Sequence, residues 1–338
     1  MADQAKWIGH KVGTADARPG EMVRGGIPIV ADMYGRERLM PVVVACGVEP
    51  GPVIWLNGAI HGDEPEGPWS IALVMRQIDP QQLKGVVVAV PAMNVDALTA
   101  GTRGDPLDTF TYDMNRVYPG SATGRATERV AYAHYQAMMA SADYQIAIHS
   151  GGDHSYLSQM IFAPEMPQCL ELAAAMGPDF PLVFTSLLKA GDPTSELVKK
   201  GGGGITVELG GQCRTLTRDF DTVCQTLARS MLNVLRHFGM IPGQAHYCRS
   251  WKRGHQVALL ANATGLWIGD PGLEFHREMA KGAALGQIVN LYGDVSETVV
   301  APADGLVFGL RHRPQVRVGD WICFYGVVDE IRDNLLPR

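Results

Sequence analysis

The chain has 338 residues, 46% of them hydrophobic and 19% charged, which is enough apolar material for a packed core and excludes a disordered or low-complexity protein. Its 29 basic and 35 acidic side chains leave a net charge of −6, an argument against a dedicated nucleic-acid binder, which needs a basic face to neutralise phosphates. No apolar run approaches the ~18–20 residues that span a bilayer, the N-terminal MADQAKWIGHKVG lacks the apolar stretch of a signal peptide, and six cysteines without a C-x-x-C pair are too sparse for a disulfide scaffold. These features lead us to expect a cytoplasmic chain with buried thiols and no membrane partner, with room for a homo-oligomer.

Residues 26–52, rich in Val, Ile and Gly, predict short antiparallel strands. PVIWLNGAI (52–60) is a short apolar run that stops at His61, and EGPWSIALVMRQI (66–78) has helical spacing, with Pro68 tolerated in a first turn. GVVVAVPAMN (85–94) reads as a strand buried on both faces of a parallel sheet. RATERVAYAHYQAMMA (125–140) predicts a helix, with Met138 and Met139 in its packing, and YQIAIHS (144–150) the next strand. GGGGITVELGG (201–211) embeds a strand at 205–209. The GGGG run lacks the G-K-[ST] ending of a phosphate loop and reads as a flexible connection. In DFDTVCQTLARSMLNVLRHFG (219–239) the apolar positions 223, 227, 231, 234, 235 and 238 define one helix face, with Asp219 or Asp221 as N-cap and Gly239 as stop.

After about residue 243 the texture changes to short strands between Gly, Asp, Asn and Pro turns, with a single short helical stretch near 278–284. The expected fold class is therefore α/β: a mixed, largely parallel sheet flanked by helices over residues 1–244, then a smaller β-rich domain, sandwich or barrel, over 245–338. Arg311, His312, Arg313 and Arg317 read as a solvated face of that second region.

Sites in open α/β sheets lie where strands end at their C-terminal side, and three predicted strands end in groups that carry chemistry. His61 and Glu64, spaced i, i+3 between strand and helix, allow an imidazole and a carboxylate to meet on one ion, although the pair alone also suits a surface turn. His149 closes the strand at 144–149, where a satisfied core or surface histidine is the plain alternative. Glu208 is a carboxylate in an apolar strand. It is either a base beside a metal-bound water or an edge residue facing solvent. Two His and a Glu with one open position make a catalytic zinc set, to which a second carboxylate adds a proton acceptor. In TRGDPLDTFTYDMNRVYPG (102–120), Arg103, Asn115 and Arg116 suit capture of a carboxylate and polarisation of a carbonyl, or else decorate a surface loop.

The ordered motifs NGAIHGDEPEG, DMNRVYPG, AIHSGG and ITVELGG resemble the succinylglutamate desuccinylase/aspartoacylase family of zinc amide hydrolases, relatives of the zinc carboxypeptidases. The likeness covers roughly residues 50–240, and the β-rich texture after 245 resembles the family's C-terminal domain. It implies a zinc carboxypeptidase-like fold in which His61, Glu64 and His149 hold zinc and Glu208 is the general base. It further implies that Asn115 and Arg116 grip a substrate carboxylate and that Arg103 faces the scissile carbonyl. The implied activity is zinc-dependent hydrolysis of a linear amide in a small N-acyl amino acid. The alternatives are a metallocarboxypeptidase trimming peptide C-termini and a non-catalytic metal- or small-molecule-binding module. One departure stands out: Ala147 occupies the place where such families carry an acid two residues before the second histidine, so a partner orienting the imidazole is missing there.

Overall fold

Successive side chains of a strand point to opposite faces, so the apolar pattern decides how each strand faces but not which strand it pairs with. The computed structural model describes residues 7–31, 33–211 and 217–335. In chain order come β1 (His10–Val12), β2 (Ala15–Ala17), β3 (Glu21–Ala31), β4 (Glu37–Cys46), β5 (Glu49–Asn57), α1 (Glu66–Met75), β6 (Lys84–Val90), α2 (Val95–Ala100), α3 (Ala126–Met139) and β7 (Tyr144–His149). Next are β8 (Ser155–Pro164), α4 (Pro167–Ala175), β9 (Leu182–Ser186), α5 (Pro193–Lys199), β10 (Gly203–Gly210) and α6 (Thr217–His237). The C-terminal region holds β11 (Trp251–Leu260), β12 (Gly265–Gly269), β13 (Glu278–Met279), β14 (Ala284–Val289), β15 (Val295–Val300), β16 (Gly305–Arg311), β17 (Gln315–Val316) and β18 (Trp321–Arg332).

A twelve-stranded sheet runs in the order β13-β16-β18-β11-β9-β8-β10-β7-β5-β6-β4-β3. Its centre, β10-β7-β5-β6, is parallel, whereas β8, β4 and β3 attach antiparallel. Strand β16 pairs with β8 as well as with β18, so β16-β18-β11-β9-β8 close into a five-stranded barrel. This corrects the expected largely parallel, simply flanked sheet: three late strands complete a barrel with two earlier ones, β13 adds to the edge at β16, and four others form a separate sheet, β15-β14-β12-β17.

Period-2 alternation sorts the central strands cleanly. Ile54 and Leu56 of β5, Ile146 and Ile148 of β7 and Val207 of β10 enter one core, covered by Ile71 and Val74 of α1, Leu172 of α4 and Leu227 and Met231 of α6. Trp55 of β5 and Val86 and Val88 of β6 enter the other, with Ala131 and Met138 of α3. His149 and Glu208 therefore emerge on the face opposite the first core, at strand ends.

Several local expectations change. Residues 278–284 hold β13 and a turn, not a helix. Gly203 and Gly204 are buried inside β10 instead of forming a flexible connection; a Cβ on Gly203 would lie 2.5 Å from the Tyr144 ring, and one on Gly204 2.9 Å from Thr194. Asp219 and Asp221 lie inside α6, which starts earlier than expected, while Gly239 takes the left-handed φ of +63° that ends it. His312, Arg313 and Arg317 are exposed as expected, whereas Arg311 is half-buried and donates to the carbonyls of Arg313 and Gln315; Arg313 also pairs with Asp153. Cys46, Cys169, Cys224 and Cys323 are buried and Cys248 half-buried; Cys213 lies outside the described residues. No helix among the described residues is long and apolar enough to cross a membrane.

Candidate active site

The loop after β5 is the most constrained part of the site. Ala59 adopts φ +45°, a conformation that costs a non-glycine residue about 1–2 kcal/mol and persists only where its surroundings enforce it. Here the Ala59 carbonyl accepts from the Asn94 N–H at 3.0 Å. Gly62 passes so close to α2 that a Cβ would fall 1.9 Å from the Ala97 backbone, and its N–H donates to the Arg103 carbonyl at 3.3 Å. The turn thus fixes His61 and Glu64 against the segment that carries Arg103.

His61, Glu64 and His149 are all buried and meet. His61 Nδ1 lies 2.7 Å from Glu64 Oε1 and His149 Nδ1 3.0 Å from Glu64 Oε2, and the ligand atoms of the three all fall within 4.8 Å of one another. Two imidazoles and a carboxylate facing one centre are a donor set suited to zinc. The second nitrogen of His61 sits 3.1 Å from Asp113 Oδ1, the kind of carboxylate support that ligating imidazoles commonly have. Asp113 also accepts from Arg103, Nε at 3.2 Å and Nη2 at 3.0 Å. It was not singled out in the sequence, although it stands two positions before Asn115, separated only by Met114, in the quoted DMNRVYPG. The acid missing at Ala147 thus has a counterpart on the other histidine.

Electrostatics follow from this packing. Burial disfavours the Glu64 carboxylate, but the two imidazoles outweigh it and hold its pKa well below the usual range. Burial likewise favours neutral His61, yet Glu64 and Asp113 prevail and raise its pKa. Glu208 moves the other way: burial and then the negative charge of Glu64 push its carboxyl well above the ordinary carboxylate range, with Arg103 opposing. Glu208 Oε2 has no hydrogen-bond partner among the described residues. A carboxyl with a raised pKa and an oxygen left open is equipped to accept and release a proton.

His61, Glu64, His149 and Glu208 line one cavity of about 920 Å³, within the range of ligand pockets. Arg103, Asn115 and Arg116 border it too. Arg116 stands out into solvent with Nη1 donating to the Asn115 carbonyl at 2.7 Å, and Asn115 Oδ1 is buried without a partner among the described residues. All seven residues named from the sequence therefore reach the same cavity. Those that sequence reading missed, besides Asp113, are Glu66 and Ser150: Ser150 N–H donates to Glu64 Oε2 at 3.2 Å, and Ser150 Oγ to Glu66 Oε2 at 2.8 Å.

Comparison with known proteins adds to this geometry. A family model described as the succinylglutamate desuccinylase/aspartoacylase catalytic domain matches residues 50–238. The chain is 26% identical over 321 residues, 88% of its own length and 87% of the other, to an N-alpha-acetyl-L-2,4-diaminobutyric acid deacetylase of Halomonas elongata. Its fold is similar to that of a succinylglutamate desuccinylase from Silicibacter sp. TM1040, with TM-score 0.79 and 21% identity over 91% of this chain and 95% of that one. It is equally similar to the product-bound ectoine utilization protein EutE (DoeB) of Ruegeria pomeroyi, with TM-score 0.79 and 23% identity over 92% and 96%.

Proposed function

Because the chain belongs to the succinylglutamate desuccinylase/aspartoacylase family, we propose that it is a zinc-dependent hydrolase of the linear amide bond in a small N-acyl amino acid or related carboxylate. The observation that carries this reading is the convergence of His61, Glu64 and His149 donor atoms within 4.8 Å, beside Glu208 on one cavity wall. The Halomonas relative, by its name a deacetylase of an N-acetyl amino acid, supports the same class. In this reading residues 1–244 carry the chemistry and residues 245–338 wall the cavity.

His61, Glu64 and His149 would hold the zinc, which supplies Lewis acidity that acidifies water and polarises an acyl oxygen. Glu208 takes a proton from the attacking water as its oxygen bonds the acyl carbon, then delivers that proton to the amine nitrogen as the C–N bond breaks. Arg103, aimed by Asp113, stabilises the negative charge that develops on the acyl oxygen. Arg116 and Asn115 take the substrate carboxylate, the guanidinium through paired N–H donors. A metallocarboxypeptidase would need an open groove for a peptide, and here β11 and β18 add Gln256, Trp321 and Phe324 to the wall of the cavity.

Glu208→Ala should keep its zinc by elemental analysis while turnover of N-acetyl, N-succinyl or N-formyl amino acids falls by roughly 10²–10⁴-fold. His61→Ala should lose the metal itself. Full activity in Glu208→Ala would refute the base role.

A further inference from the structure

The cavity has a second wall that the proposed chemistry does not use. In the sheet, His149, Glu208 and Met160 stand side by side on β7, β10 and β8, and one step along lies the row Ala147, Thr206, Phe162 and Phe184. Ile161 and Ala163 enter the first core, so alternation turns Phe162 to the face that carries Thr206 and Glu208. From Phe162 a chain of rings crosses the barrel. Ring centroids are 6.3 Å apart for Phe162–Phe184, 5.2 Å for Phe184–Phe308, 5.9 Å for Phe308–Phe324 and 4.2 Å for Phe324–Trp321, the last pair stacked at 11°.

The middle of this chain, Phe184 and Phe308, is fully buried and simply fills the barrel. Its two ends are different. Phe162, Phe324 and Trp321 are only half-buried and line the same cavity as Glu208, with neutral Thr206 and Gln256 beside them. Apolar rings left open inside a ligand cavity are poorly satisfied by water and well satisfied by an apolar ligand group. The cavity, at about 920 Å³, also lies near the upper end of the ~300–1,000 Å³ that accommodates drug-sized ligands, far more than an acetyl amino acid fills.

We propose that Phe162, Phe324 and Trp321 form a subsite for a ring-sized apolar group of the substrate, so that the preferred amide carries an aromatic or branched aliphatic substituent. The proposal rests on the amide-hydrolase reading above and narrows its substrate class. The substituent reaches the subsite from either side of the scissile bond, and the test separates the two.

Zinc-loaded protein is assayed with N-acetylglycine, with N-benzoylglycine (ring on the acyl side) and with N-acetylphenylalanine (ring on the amine side). Binding of the same three compounds to the metal-free protein is measured by calorimetry. At least one ring-bearing compound should exceed N-acetylglycine in kcat/KM and in affinity by roughly tenfold or more, the scale of an apolar pocket contact. Trp321→Ala should pull both ratios towards unity and Trp321→Phe should retain most of them; were Trp321→Ala not to fold, the wild-type ratios decide alone. N-acetylglycine bound and cleaved as well as both others would overturn the subsite and leave the hydrolase reading standing. Tighter, Trp321-dependent binding of a ring-bearing compound with no hydrolysis of any would uphold the subsite and remove the hydrolase reading.

Discussion

His134 has no exposed surface and is held between two neutral partners, Tyr118 hydroxyl at 3.1 Å from Nδ1 and Asn57 Oδ1 at 3.1 Å from Nε2. A neutral ring satisfies both, with Nε2–H donating to Asn57 and Nδ1 accepting from Tyr118. Burial away from any carboxylate lowers its pKa to about 3. The sign of the consequence follows. The unfolded chain takes up a proton below the ordinary value of 6.5 and the folded chain does not until about 3, so the stability present above 6.5 is lost as pH falls through that window. The loss approaches about 1.4 kcal/mol per pH unit from this one group. Urea unfolding of the wild type and of His134→Gln at several pH values should show the wild type declining more steeply by that amount between about pH 6 and pH 4. Parallel declines would mean that the ring titrates normally in the fold. Nothing in RATERVAYAHYQAMMA marks this histidine as different from its neighbours; only the approach of Asn57 from 77 residues away does.

At the scale of elements, the strand ends that carry His61, His149 and Glu208 were legible in the sequence, and pairing was not. The apolar runs before His61, His149 and Glu208 announced buried strands because continuous hydrophobicity over a few residues fits a sheet covered on both faces. The face of α6 was equally plain, with Val223, Leu227, Met231, Val234 and Leu235 all buried. Strand β9 and helices α2, α4 and α5 left weaker traces, being short, whereas the ten residues of β8, SYLSQMIFAP, mix polar and apolar side chains without period-2 alternation, and nothing local tells β16 to pair with β8. The fastening of the loops was also invisible. Glu66, at the start of α1 and with no exposed surface, accepts from Ser150 Oγ at 2.8 Å after β7 and from the Gly211 N–H at 2.8 Å after β10. One helix terminus thereby ties together the loops that follow His149 and Glu208. Glu66→Ala would orphan a buried hydroxyl and a buried N–H, and should cost roughly 1–3 kcal/mol for each. It should also lower kcat more than it changes KM, because it loosens the reacting groups more than the carboxylate grip; Glu66→Gln, which still offers an oxygen to one partner, should recover much of the loss. A Glu66→Ala protein with the wild-type urea midpoint and kcat would dismiss this role.

For the molecule as a whole, the change of sequence texture near residue 244 and the closure of the barrel pull in different directions. The barrel interior is built from Met160, Leu182 and Phe184 on one side of that point in the chain and Leu306 and Phe308 on the other. Met160, Leu182 and Phe184 have no exposed surface in the intact chain. Removing residues 245–338 would uncover them, and at roughly 1.5–3 kcal/mol for each large apolar side chain the three together forfeit on the order of 5–9 kcal/mol. That is comparable with the whole stability of a typical domain, about 5–15 kcal/mol. A fragment of residues 1–244 should therefore bind a hydrophobic dye, melt without a cooperative transition and regain a sharp transition when co-expressed with 245–338. A soluble fragment 1–244 with a single cooperative melt would instead establish that the barrel wall is dispensable for folding. In that case Trp321 and Phe324 would be an addition to a self-sufficient unit that already carries Phe162, and the fragment would retain the His61–Glu64–His149 cluster with a cavity open on that side.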